Sequence, residues 1–276
     1  MPDENRHGFD GVIEIRRPPE DEIQPWAHGF VDACKQAGLK YLPDGNTADG
    51  HGVFYLRKFQ AHGGRKRVVR DDTAHAYLRK TGAIKRLNLT VLCHTRAAKI
   101  LTNGKRAVGV ACVGTPQAQG NTQLPRMGGH FYLAAQREVV VCGGAFMSPQ
   151  LLMLSGIGPK KELAKHGIPL VHDLPGVGKN LNDHSAFVAN YSASRSSGGI
   201  GFHPVPLLKV VWELLKYAFK GGKGMFSSNL VHAMACIKTD SRLHVPDVCM
   251  MAIGCHAANH GKPFPFGLML LSLIHI

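Results

Sequence analysis

The sequence predicts a mixed α/β protein, and three observations carry that prediction. Residues 139–141 are a β-branched run of the kind that forms a strand buried on both faces, and two short helical patterns follow it. Between residues 87 and 135, strand-like runs are joined by turn residues. More strand-like runs come after residue 185. Together these patterns are typical of an α/β domain joined to a separate antiparallel sheet.

The first 85 residues predict two helices and little else that is regular. Residues 1–20 are polar and rich in proline and charge, which indicates an extended surface segment. From residue 22 to 36 the apolar residues recur at helical spacing, and Gly38 ends the predicted helix. These apolar residues are Ile23, Trp26, Phe30 and Ala33. Residues 44–64 are rich in glycine and histidine and predict a loop, and residues 74–78 predict a short helix.

A three-stranded antiparallel meander is predicted between residues 87 and 135. Its first strand is placed at 87–101, and the pair Asn103 and Gly104 predicts a hairpin turn into the second. Residues 115–128 are polar and rich in glutamine and glycine, so we expect a loop there. The third strand is placed at 132–135.

Small residues end the predicted strand at 139–141. They are Cys142, Gly143, Gly144 and Ala145. Because they lack bulk, they permit the close approach of another backbone or of a ligand. Ser148 followed by Pro149 predicts the start of a helix, which Gly156 is placed to end.

A second short helix and a strand complete this region. The helix is predicted from Pro159 to Gly167, with Lys165 and His166 in its last turn, where positive charge suits the helix dipole. Residues 168–171 are strand-like, and residues 176–183 form a glycine-rich loop.

Residues beyond 184 predict, in order, a strand at 185–191, a loop at 194–201, an amphipathic helix at 205–219, and strands at 230–237 and 248–253. The apolar side of the helix consists of Leu208, Val211, Trp212, Leu215 and Phe219. The tail from residue 267 is apolar and strand-like. The residues around 271–276 give no chemical reason for a strand to end there. We therefore expect residues 271–276 to be foreign to the natural protein.

The composition favours a folded globular chain with a basic surface. Of the 276 residues, 44% are hydrophobic, and no apolar run approaches the roughly 20 residues that cross a bilayer, so we predict no transmembrane segment. The formal net charge is +14. The densest basic run, residues 65–67, has no interleaved aromatic residues, so a basic nucleic-acid-binding module is kept only as an alternative.

The seven cysteines favour free thiols. They are Cys34, Cys93, Cys112, Cys142, Cys236, Cys249 and Cys255. Their number is odd and none forms a C-x-x-C pair, which disfavours a zinc site and a disulfide framework. The sequence leaves the location of the protein open and favours a reducing compartment such as the mitochondrion or the cytoplasm.

One long run closely resembles a known family. Residues 143–159, GGAFMSPQLLMLSGIGP, are similar to the second signature of the glucose–methanol–choline (GMC) oxidoreductases, flavoenzymes that oxidise alcohols with FAD. Residues 167–184, GIPLVHDLPGVGKNLNDH, continue the pattern. The resemblance implies a partial Rossmann-type FAD-binding domain with an inserted β-meander, plus part of an antiparallel-sheet substrate domain.

The resemblance also implies domain boundaries and an incomplete chain. Residues 1–85 are expected to be a linking segment with some substrate-side elements. Residues 86–184 then form part of the FAD-binding domain, and residues 185–276 part of the substrate domain. The family's first strand and its G-x-G-x-x-G turn should precede residue 1, so we expect an internal fragment of a choline-dehydrogenase-like member.

The resemblance implies cofactor-binding residues at three places. Ala97 lies where the family's main chain meets the adenine, and residues 142–145 match the strand end beside the dinucleotide. Asn180, Asp183 and His184 match a run near the flavin. The alternatives are a packing turn at 142–145 and loop-fixing hydrogen bonds at the last three. The family's catalytic histidine motif matches none of the 16 histidines, so we assign no catalytic residue and no metal ligand.

The function that the resemblance implies is oxidation of a small-molecule alcohol by hydride transfer to FAD, with an electron acceptor left open. An alternative is a truncated, non-catalytic remnant of such an enzyme. Without the first strand and phosphate-binding turn, the helix N-terminus that holds the pyrophosphate is absent.

Overall fold

The structure is a computed structural model. It describes residues 7–46, 50–63, 67–119, 129–192, 204–219, 227, 230–254 and 267–274. The residues fall into two compact units: unit 1 comprises 1–81 and 184–276, and unit 2 comprises 82–183. The roles expected for segments 1–85, 86–184 and 185–276 stay predictions.

The strands in chain order are β1 (Ile15–Arg16), β2 (Gly52–Tyr55), β3 (Lys58–Gly63), β4 (Arg67–Arg70), β5 (Val91–Asn103), β6 (Arg106–Gln119), β7 (Gly129–Ala134), β8 (Ile157–Gly158), β9 (His172–Asp173), β10 (Ser185–Ser192), β11 (Val231–Ile237), β12 (Val248–Ile253) and β13 (Gly267–Ile274). The α-helices are α1 (Pro25–Gln36), α2 (Gly144–Leu154), α3 (Lys160–Lys165) and α4 (Pro204–Phe219). Shorter helical turns lie at Glu20–Glu22, Ala74–Lys80 and Ala83–Lys85. No helix in the described ranges is both long and apolar enough to cross a membrane.

The core of unit 1 lies between α1 and a five-stranded antiparallel sheet of order β10-β13-β12-β11-β2. Trp26 is 6% exposed and packs against alanines of the sheet, Ala233 and Ala235 among them. These small residues leave room for the indole, as does Gly254, where a Cβ would lie 2.5 Å from the indole nitrogen. The sheet therefore carries small side chains where the helix carries a large one.

The predicted helix at 22–36 is confirmed as α1, but its apolar face was partly wrong. Ala33 is exposed, whereas Ala27, Val31 and Cys34 join Ile23 and Trp26 in the core. The prediction followed one row of helical spacing, while the sheet covers a wider stripe of the helix.

The predicted loop at 44–64 was wrong, because β2 and β3 lie within it. β2 is the edge strand of the five-stranded sheet and pairs with β11, with Phe54 opposite Met234. β3 lies between β1 and β4 in a separate three-stranded antiparallel sheet. A strand whose partner is so distant in sequence leaves only a weak local signal, which the surrounding glycines and histidines obscure.

The helix predicted at 74–78 is confirmed as the turn Ala74–Lys80, which has π-helical hydrogen bonding. Asp71, just before it, is almost fully buried and joins it to the strand β1 region. Its carboxylate accepts hydrogen bonds from the Glu14 amide at 2.5 Å and from His75 Nδ1 at 2.8 Å. The Glu14 amide is the main reason that the pKa of Asp71 lies below its usual value.

The amphipathic helix predicted at 205–219 is confirmed as α4, but its apolar side is exposed within the described part of unit 1. Trp212 is 58% exposed, while Glu213 beside it is buried and bonds to Lys216 at 2.6 Å. Glu213 is therefore more buried than the apolar residues beside it. The predicted loop at 194–201 lies outside the described residues.

The predicted strands beyond residue 184 are confirmed as β10, β11, β12 and β13. β13 continues through residue 274, between β10 and β12. We found no justification in the sequence for a strand end at residues 271–274, and this was wrong. These residues are the end of β13, and their partners on β10 and β12 are distant in sequence. The expected foreign origin of 271–276 stays a prediction.

The meander predicted in unit 2 is confirmed as the antiparallel sheet β5-β6-β7. The hairpin turn consists of Gly104 and Lys105, one residue later than predicted, and Gly104 has a φ of +57°. The loop expected from 115 was wrong as far as residue 119, because β6 extends to Gln119. Residues 120–128 lie outside the described part.

The strand predicted at 139–141 was wrong. No described strand pairs with these residues, and Val140 is 72% exposed. A strand of the predicted kind needs neighbouring strands to receive its backbone hydrogen bonds and cover both faces. The described residues of unit 2 supply neither, so the segment does not form a strand.

The two helices predicted after this segment are confirmed, with corrections. α2 begins at Gly144 rather than at Ser148, so Pro149 lies inside it. α3 lies within the predicted 159–167 range. The following strand is β9, which pairs in parallel with β8, rather than residues 168–171. The strand begins later than predicted because residues 169–171 pass close to Gly156 before β9 starts.

Candidate cofactor site

Ser155 joins helix α2 to strand β5. Its side chain is 1% exposed, and its Oγ accepts a hydrogen bond from the Ile100 amide at 2.8 Å. The same hydroxyl donates to the Leu151 carbonyl at 2.6 Å. One buried hydroxyl therefore satisfies a backbone group on each element and fixes the end of the helix against the sheet.

Gly156 brings the chain after α3 back against the end of α2. Its φ of +84° suits glycine, and a Cβ would lie 2.4 Å from the Pro169 carbonyl oxygen. The Gly156 carbonyl accepts hydrogen bonds from the amides of Val171 at 2.8 Å and His172 at 3.1 Å. This close approach sets the path of the chain into the glycine-rich loop at 176–183.

The glycine-rich loop lies against α2. A Cβ at Gly178 would lie 3.6 Å from Met153 Cε and 3.9 Å from Pro149 Cβ. Asn180, two residues later, has a φ of +55°, a left-handed conformation that asparagine tolerates better than most residues. The structure thus places Asn180 on a loop that contacts α2, with its side chain exposed to solvent.

Residues 142–145 form the exposed start of α2. No side chain caps the helix, so its first amides remain available to an external acceptor. The two glycines are needed for different reasons. A Cβ at Gly143 would lie 3.1 Å from Met147 Cβ and from the Ser148 amide, whereas Gly144 faces open space but has a φ of +78°.

Ala97 lies on β5, the strand against which α2 packs. It is exposed and stands opposite Cys112, beside a β-bulge between residues 97 and 99. Cys112 is buried, and burial raises the pKa of its thiol. Ala97 therefore offers a ligand its backbone groups and a methyl side chain rather than a reactive group.

Unit 2 contains seven of the eight predicted cofactor residues. They are Ala97, Cys142, Gly143, Gly144, Ala145, Asn180 and Asp183, and His184 is the first residue of the second segment of unit 1. All eight are exposed, and their binding roles stay predictions. The described residues contain no group of three potential metal ligands among His, Cys, Asp and Glu.

Sequence reasoning did not single out Ser155 as a positioning residue. It lies in the stretch Ser-Gly-Ile-Gly, directly after the apolar run of α2. The sequence signal that could have identified Ser155 is a hydroxyl residue at a predicted helix end, followed directly by glycine. Its partner Ile100 is 55 residues away, which no local pattern could show.

The fold is that of FAD-binding oxidoreductases. The solved pyridoxine 4-oxidase of Mesorbium loti matches with a TM-score of 0.70 and 26% identity, covering 97% of this chain and 45% of its own. The correspondence extends over both units. It defines the class of protein to which the β-meander and the exposed start of α2 belong.

The chain belongs to the GMC oxidoreductase family, whose model matches residues 11–186. An alcohol dehydrogenase (acceptor) of Pseudomonas putida is 33% identical over 264 residues, which are 95% of this chain and 44% of the relative. An oxygen-dependent choline dehydrogenase of Pseudomonas savastanoi pv. phaseolicola is 33% identical over 248 residues, 88% and 39% respectively. The chain therefore spans less than half the length of these relatives.

FAD is the cofactor of this family, and the residues of unit 2 fit part of such a group. An uncapped helix start suits an anionic segment, and two glycines keep the adjoining backbone free of side chains. However, α2 has no buried residue, although nearly all its side chains are apolar. A helix that is apolar all round is normally covered on all sides, so unit 2 alone offers one wall of a binding site.

Proposed function

We propose that the complete protein oxidises the CH–OH group of a small-molecule alcohol, using FAD. The observation that carries the proposal is the uncapped, glycine-flanked start of α2 within the segment matched to the family. When bound, FAD accepts the hydride of the alcohol carbon. Residues 142–145 and Ala97 would hold the dinucleotide through main chain, while Ser155 and Gly156 fix the helix and loop beside them.

The substrate proposal follows from the relatives, which are named as alcohol and choline dehydrogenases. We propose that the protein acts on a small alcohol and passes electrons to a separate acceptor. We do not propose nucleic acid as a partner. We also propose a reducing compartment such as the mitochondrion or cytoplasm; the free thiols of the described cysteines are compatible with it.

The proposal is tested with the complete protein and a panel of alcohols. We expect the purified protein to carry the visible absorbance of oxidised flavin, and we expect choline or a primary alkyl alcohol to bleach it anaerobically. The matched methyl ether of each alcohol, which has no hydroxyl proton to lose, is the control. A preparation that stays colourless after incubation with FAD would contradict the proposal.

The 276-residue chain by itself should bind FAD at least about tenfold more weakly than the complete protein, a loss of about 1.4 kcal/mol or more. The physical reason is that no described strand pairs with residues 139–141 and that α2 has no buried residue, so only one wall is present. Titration of FAD fluorescence measures both affinities side by side.

Tight stoichiometric binding by the 276-residue chain would refute this expectation. It would also disfavour the alternative that the chain is a non-catalytic remnant. Weak binding by the chain together with bleaching in the complete protein supports an incomplete site of an active enzyme. Weak binding by both would remove the functional proposal as well.

A further inference from the structure

Two cysteines face each other across adjacent strands of the five-stranded sheet. Cys236 on β11 is directly opposite Cys249 on β12, and their sulfur atoms lie 2.7 Å apart. Both residues are half-buried, and both thiols are free. A disulfide would bring the two sulfur atoms from 2.7 Å to the roughly 2.05 Å of an S–S bond.

The pair lies on the side of the sheet that faces away from α1. Ala235 is in the core with α1, and side chains alternate between the two faces along a strand. Cys236 therefore points to the opposite face, as does its partner Cys249. On that face the cross-strand pair Met234 and Met251 is the next along the two strands. The thiols are thus outside the hydrophobic core that holds the sheet to the helix.

We propose that Cys236 and Cys249 form a reversible cross-strand disulfide by exchange with a small-molecule disulfide such as glutathione disulfide. One cysteine thiolate attacks a glutathione sulfur, forming a mixed disulfide and releasing one glutathione thiolate. The second cysteine, as its thiolate, attacks the protein sulfur of that mixed disulfide and releases the other glutathione. The protein loses two protons and two electrons, and one glutathione disulfide becomes two glutathione thiols.

The pairing geometry explains why the bond would be reversible. Directly opposite residues hold their Cβ atoms about 4.5–5.5 Å apart, whereas a disulfide prefers about 3.8 Å. The strands must draw together slightly, and a strained bond is reduced more readily than a relaxed one. The pair therefore suits a redox-responsive link better than a permanent one.

Burial sets the rate of the exchange. Burial, followed by the hydrogen bond to Cys249, raises the pKa of Cys236 to about 12. The thiolate, which is the reacting form, is therefore scarce at this cysteine at pH 7. The link should therefore form slowly at pH 7 and faster at pH 9.

The test is oxidation of the 276-residue chain and of the complete protein with glutathione disulfide at pH 7 and 9. After blocking with N-ethylmaleimide and digestion, mass spectrometry should find the Cys236 and Cys249 peptides linked and two hydrogens lighter. Dithiothreitol should restore both thiols. The oxidised chain should also melt on the order of 5 °C higher, because the link closes a loop in the unfolded chain.

Two variants serve as controls. Cys236→Ser should leave Cys249 with a glutathione adduct and no link, while Cys93→Ser, in the other unit, should leave the link intact. Finding both thiols alkylated at both pH values, or carrying only glutathione adducts, would overturn the proposal. So would protection of the thiols by a bound Zn²⁺ or Cu⁺ ion detected by elemental analysis, since the pair would then be a metal site.

Discussion

Replacing Gly156 with alanine should destabilise the chain by about 2–4 kcal/mol. A left-handed backbone costs an alanine about 1–2 kcal/mol, and Gly156 has a φ of +84°. In addition, the new Cβ would lie 2.4 Å from the Pro169 carbonyl oxygen, a backbone atom that cannot rotate away. Relieving that overlap weakens the hydrogen bonds from the amides of Val171 and His172 to the Gly156 carbonyl.

Gly167→Ala is the matched control. Gly167 has a φ of +63°, but a Cβ there would meet nothing within 4 Å. Its substitution should therefore cost only the conformational part, about 1–2 kcal/mol. Urea unfolding followed by circular dichroism compares both variants with the parent chain. Equal losses in the two variants would show that the approach to Pro169 does not contribute.

The stability of unit 1 should fall by about 3 kcal/mol between pH 7 and pH 4 because of His232. This histidine is 1% exposed, with its ring 5.3 Å from that of Trp26. Burial first, then the positive charges of Lys58 and His28, lower the pKa of His232 from 6.5 to about 4. In the unfolded chain the same group binds its proton near pH 6.5.

The sign of this pH effect follows from which state binds the proton. Between pH 6.5 and 4 the unfolded chain is protonated at His232 while the folded chain is not, so lowering the pH favours unfolding. The contribution is fully present above pH 6.5 and is lost progressively down to pH 4. His232→Gln removes the titrating group, so its stability should fall less steeply over this interval. The same slope in parent and variant would show that His232 is not responsible.

Local patterns predicted the elements whose signals are local. The helix α1, the hairpin of β5 and β6, and the α2–α3 pair each have their own spacing, turn or cap residues. The small residues 142–145 also stood out after an apolar run, but the sequence placed them at a strand end, whereas α2 begins at Gly144.

What local patterns missed depends on distant partners. β2 is hidden among glycines and histidines, and its partner β11 is far along the chain. Residues 139–141 are a strand by composition only, since no described strand pairs with them. His232 drew no attention because a single histidine in an apolar strand gives no sign of its burial or of the Lys58 and His28 side chains that influence it.

The pairing of β2 with β11 also has a consequence for how the protein is made. Tyr55 is opposite Ala233, so roughly 180 residues are synthesised between the two strands. At a ribosomal rate of about 5–20 residues per second, β2 waits about 10–35 s for its partner. Residues 82–183 emerge as one uninterrupted stretch during that time. We therefore expect residues 82–183 to begin folding on the ribosome before β2 meets β11.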